Sequence, residues 1–145
     1  MSLPYENTTA GQSALSEIQK LLRDFGCNKF GVMNDDDEGT LLVQFEYRSK
    51  PVSVKASITG YAAAWVKEHP YTSRTRCTRT EHERKANQVA SIAVCSIIRD
   101  WVKAQIMIIE TGVLSFEGAF LGQILLSDGH TVLEHVEKNK LLAIS

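Results

Sequence analysis

The chain has 145 residues, 43% of them hydrophobic and 23% charged, with only 3 prolines. That is enough polypeptide for one buried core, and the composition excludes both a disordered chain and a disulfide-stapled miniprotein. Lys and Arg number 16 against 17 Asp and Glu, so affinity for nucleic acid or a membrane surface has to come from a local patch and not from the overall charge.

From Ser13 to Phe25 the residues Ala14, Leu15, Ile18, Leu21, Leu22 and Phe25 recur at three- and four-residue steps, and Gly26 follows as a stop signal. This spacing predicts an amphipathic helix. Lys29 to Met33, the polar turn Asn34 to Gly39, the alternating run Thr40 to Tyr47, the turn Arg48 to Pro51 and the run Val52 to Ala56 predict a three-stranded antiparallel meander. Leu41, Val43, Phe45 and Tyr47 share the face that the first helix covers, leaving Gln44 and Glu46 on the wet side. Ile58, Tyr61, Ala62, Trp65 and Val66 return to helical spacing, and His69-Pro70 closes that second helix. Tyr71 to Thr80, rich in Thr and Arg and without an aliphatic residue, reads as a loop whose following helix has Glu81 or Glu83 in its first turn.

No Gly or Pro interrupts Arg84 to Thr111, and apolar residues lie on more than one side of this segment. A helix apolar nearly all round is buried on several sides. At about 1.5 Å per residue it would run roughly 40 Å, so it is expected either to kink or to protrude into a partner subunit. Ser115 to Leu126 predicts a shorter amphipathic helix, and Thr131-x-x-Glu134 is a capping box opening a last helix to about Lys140. With no internal repeat or interior linker, the expectation is a single domain over residues 1–145. Its class is α+β: an N-terminal helix, a three-stranded antiparallel sheet, and a helical C-terminal half with one long central helix.

The strongest local charge signal is Arg74, Arg76, Arg79, Arg84 and Lys85 against Glu81 and Glu83, a net of about +3 over residues 71–90. Guanidinium forks beside Ser and Thr hydroxyls suit a phosphate backbone and need no base contact. Arg84, Gln88, Ser91, Arg99 and Lys103 continue at steps of three, four or eight residues as one predicted polar stripe. Loop and stripe together predict a nucleic-acid-binding surface made by Arg74, Arg76, Arg79, Arg84, Lys85, Arg99 and Lys103. The order helix, three strands, helix is shared with the double-stranded RNA-binding fold, but residues 57–66 hold no Lys or Arg where that fold needs a basic helix start.

Other chemistries find no residues to carry them. The run Asp35 to Glu38 lacks the alternate oxygen ligands of a calcium loop, because Leu41, Val43 and Phe45 stand where ligands are required. His69, His82, His130 and His135 do not pair with Cys27, Cys77 and Cys95 at any zinc spacing. There is no Gly-rich phosphate loop, no nucleophile elbow and no paired-carboxylate motif, so neither an enzyme nor a cofactor is expected. Three scattered cysteines and the lack of an apolar leader predict a reducing cytoplasm, and no run such as Ile106 to Ile109 approaches the roughly 20 residues of a membrane span.

Four segments carry a likeness: Lys85 to Ala90, Ile97 to Gln105, Leu114 to Leu121 and Asp128 to Glu134. In that order they resemble a family of small bacteriophage and prophage proteins of unassigned activity. The resemblance implies a phage origin and the cytoplasm of an infected host cell, and supplies no catalytic residue. The leading expectation is thus a non-enzymatic phage accessory protein that binds nucleic acid. The rival is a protein-protein interaction or assembly module, with the long helix forming a homo-oligomer or docking on a phage or host partner.

Overall fold

A computed structural model describes residues 2–143. Helix α1 (Gly11–Phe25) buries Ala14, Ile18 and Leu22, one apolar stripe as the spacing predicts. It ends in a Schellman motif: Gly26, at φ 108°, donates to the Arg23 carbonyl and Cys27 N–H donates to that of Leu22. Strands β1 (Lys29–Asp35), β2 (Thr40–Tyr47) and β3 (Lys50–Ser57) form the antiparallel meander in the order β1-β2-β3. Phe45 faces both Phe30 and Val52 in register.

The second hairpin turn is tighter than its sequence suggests. Arg48 and Ser49 both take positive φ, 48° and 67°, which makes a two-residue turn whose twist matches the flanking strands. Lys50 and Pro51 therefore join β3 instead of the turn. At the first hairpin Gly39 has φ 66° and stands where a Cβ would lie 2.0 Å from Thr59 Oγ1. Its carbonyl accepts from the N–H groups of Ile58 and Thr59, tying the hairpin to the start of α2 (Ile58–Glu68).

Helix α3 begins at Arg79, five residues before the position expected from its apolar pattern, and runs unbroken to Glu110. Thr78 and Glu81 form a full capping box at its start, so Arg79 belongs to the first turn of the helix and the preceding loop ends at Thr78. The helix is about 48 Å long. It exchanges its buried side half-way. His82, Ala86, Ala90 and Ala93 are buried, whereas Ala104, Met107 and Thr111 further along the same side are exposed. The opposite side does the reverse, from exposed Arg84 and Gln88 to buried Cys95, Val102 and Ile106. Helix α2 packs on the first half, with Trp65 against His82. Helix α1 follows α3 from Ile92, which Gly11 approaches, past Arg99, which Glu17 faces. The crossover is Ala93 to Ser96, four consecutive buried residues. Two half-length stripes on opposite sides explain why the segment reads as apolar all round.

The predicted helix from Ser115 to Leu126 is instead α4 (Phe116–Phe120), a 3₁₀ turn (Leu121–Gln123) and an extended piece. Ile124 bridges to Val52, and Leu125 N–H donates to the Pro51 carbonyl at 2.8 Å. Gly118 and Gly122 weaken the helix there, while the edge of β3 offers unpaired backbone groups. Helix α5 (Val132–Lys138) opens with the Thr131-Glu134 capping box. The core lies between the inner sheet face and the helices: Leu41, Val43, Phe45, Val52 and Val54 meet Ile18, Leu22, Val102, Ile106, Phe116 and Phe120. Among the described residues no helix is long and apolar enough to cross a membrane.

Candidate nucleic-acid interface

The site is framed by the end of α2 and the start of α3. Pro70 cannot continue the first helix and Thr78 caps the second, so residues 70–78 must bridge two helices that pack together. His82, only 7% exposed, fastens the frame by donating Nε2–H to the His69 carbonyl at 2.6 Å. Its ring lies between those of Trp65 and Tyr71, with centroids at 5.1 and 5.6 Å. Tyr71 donates its hydroxyl proton to the Cys77 carbonyl at 2.8 Å, closing the loop across its base. Inside it, Thr72 and Thr75 make a turn in which Thr72 N–H donates to Thr75 Oγ1 and Arg74 N–H to Thr72 Oγ1.

Arg74, Arg76, Arg79, Arg84 and Lys85 are all exposed, and among the described residues none has a carboxylate within ion-pairing distance. Arg79 lies over the Tyr71 ring at 4.8 Å and Lys85 over the Trp65 ring at 6.0 Å, so two of the five are also held by aromatic faces. Arg79 to Lys85 spans about 9 Å of helix axis, with Arg79, Arg84 and Lys85 about 100–140° apart around it, so they ring the first two turns of α3.

Arg99 and Lys103 do not join them. Lys103 lies about 28 Å along the axis from Arg84, in the far half of the helix. Arg99 is only 19% exposed and is committed to Asp100 at 3.0 Å and Glu17 at 3.7 Å. The predicted polar stripe is cut where Cys95 and Val102 go into the core on the side that Arg84 occupies. Asp100 is held below the ordinary carboxylate range first by the Tyr5 hydroxyl and then by Arg99, and the same hydrogen bond to Asp100 raises the Arg99 guanidinium.

No family model, curated protein or solved structure matches this chain. Its chemistry has to be read from its own side chains. Among the described residues no three His, Cys, Asp or Glu side chains are grouped to hold a metal ion. Burial pushes the Cys27 thiol up to about 11 and raises Cys95 as well, which keeps both protonated. The parts that sequence reasoning missed are the supports: Tyr71 and His82, and the Thr78 cap. The last was legible as Thr78-x-x-Glu81.

Proposed function

We propose that this is a non-enzymatic bacteriophage accessory protein that binds the phosphate backbone of nucleic acid, in the host cytoplasm, through Arg74, Arg76, Arg79, Arg84 and Lys85. One observation carries the reading: five exposed cations without an ion-pair partner among the described residues lie within residues 74–85, in the loop and the first two turns of α3, against the two carboxylates Glu81 and Glu83. The excess of positive charge is self-repelling, and Arg79, in the first turn of α3, also opposes the helix dipole that Glu81 favours. A bound polyanion relieves that repulsion. The loop hydroxyls of Thr72, Ser73 and Thr75 add donors suited to phosphate oxygens. The nearby aromatic rings are occupied by Arg79 and Lys85, which favours backbone contact over base stacking. Arg99 and Lys103 are left out of this surface. A gel shift at low salt tests the assignment: the triple variant Arg74→Ala/Arg76→Ala/Arg79→Ala binds far more weakly than the parent and Arg99→Ala binds as the parent does. Equal binding by both variants contradicts it.

A second reading, a docking module for a phage or host protein, is favoured by a cleft of about 580 Å³ beside the second half of α3. Leu21, Ala104, Ile106 and Met107 line its apolar floor, with Asp100, Lys103 and Glu110 at the rim. Met107 is 58% exposed there. Under this reading Met107→Asp abolishes capture of the partner and leaves nucleic-acid binding unchanged.

A further inference from the structure

The two edges of the sheet are finished differently. Ile124 and Leu125 cover part of β3, whereas β1 makes backbone hydrogen bonds only within the β1-β2 hairpin among the described residues. Natural edge strands are blunted by charged side chains, Lys above all, or by proline, bulges, inward-facing charge or brevity. Strand β1 has seven residues in unbroken register from Lys29↔Glu46 to Asp35↔Thr40, no proline, and a middle of Gly31-Val32-Met33. Its charged residues stand only at its two ends.

We propose that β1 pairs antiparallel with β1 of a second copy of this chain, about a two-fold axis at Val32. This register sets Lys29 opposite Asp35 of the second copy, and Gly31 opposite Met33. Charge selects it. Lys29, 80% exposed and 3.9 Å from Glu46 of β2, has Arg23 near it over the Phe30 ring, while the other end of β1 runs into Asp35-Asp36-Asp37-Glu38, where Asp35 accepts the Glu38 N–H. Antiparallel self-pairing brings opposite charges together at both ends, whereas parallel pairing would set like against like. Shape agrees with charge. An added Cβ on Gly31 would meet nothing within 4 Å, and Met33, 58% exposed, lies on the same outer face.

The inference is independent of the nucleic-acid reading. Light scattering on the full chain, from micromolar to near-millimolar protein, should show a mass approaching twice 16.1 kDa, with slower amide exchange over residues 29–35 as the concentration rises. Lys29→Asp and Asp35→Lys should each be monomeric alone and dimeric when mixed, because mixing restores both charge pairs. Met33→Lys, exposed and outside the hairpin turn, is a second disrupting variant should Asp35→Lys fail to fold. A monomer at every concentration overturns the proposal. So does a dimer indifferent to Lys29→Asp and Met33→Lys, or one whose β1 amides exchange at the monomer rate.

Discussion

His82 donates its Nε2 proton to the carbonyl oxygen of His69, 2.6 Å away, and so joins the first turn of α3 to the end of α2. The bond fixes both ends of the arginine-bearing loop, and the ring fills the space between Trp65 and Tyr71. His82→Ala removes a buried ring and leaves the His69 carbonyl without this donor. The expected cost is about 2–3 kcal/mol in chemical denaturation, and amides of residues 70–78 should exchange faster. Unchanged exchange there would mean the loop is held by something else.

The capping box at Thr78 has a more local signature. Thr78→Ala should cost about 1 kcal/mol and speed amide exchange over Arg79 to His82, while Thr78→Ser should restore both.

Gly39 separates two sources of strain. Gly39→Ala imposes both a positive φ and a clash with Thr59 Oγ1, for a loss of about 2–3 kcal/mol. Adding Thr59→Ala should recover only part of that loss in thermal melts, because the backbone term remains. Full recovery would show that the contact alone sets the cost.

The N-terminal segment is tied down by two carboxylates. Glu6 accepts from His69 Nε2 at 2.8 Å, and Asp100 accepts from the Tyr5 hydroxyl. Both carboxyl groups are held below their ordinary values, Glu6 first by His69 and then by the Leu3 N–H, Asp100 first by Tyr5 and then by Arg99. A lowered folded value means the folded state favours the ionised form. The stabilisation is therefore complete above the ordinary carboxylate range, near pH 4, and drains away as pH falls through the lowered values. In melts against pH, Glu6→Gln and Asp100→Asn should lie below the parent at neutral pH and converge with it in acid.

Much of the architecture was legible in the sequence because local signals agreed with tertiary need. The Ala14-Ile18-Leu22 stripe, Gly26, the alternation through β2 and the Thr131-Glu134 box each specify one conformation. The failures have a common origin in long-range partners. Residues 121–126 have helical spacing, yet the open edge of β3 recruits Ile124 and Leu125. Likewise, a spacing rule places Arg84 and Arg99 on one stripe, but periodicity cannot register that α1 covers the second half of the helix from a different side than α2 covers the first. Spacing alone thus puts Arg99 on the predicted surface, whereas in the fold it is paired with Asp100. The compact cluster Arg74 to Lys85 was visible because its residues are neighbours in the chain itself.

The most direct test of the central claim is the salt dependence of duplex binding, followed by anisotropy. If all five cations meet phosphates, log K against log salt falls with a slope of about −4.5, and the triple variant Arg74→Ala/Arg76→Ala/Arg79→Ala lowers its magnitude to about 2. No binding at low salt, or a slope that the triple variant leaves unchanged, contradicts the account.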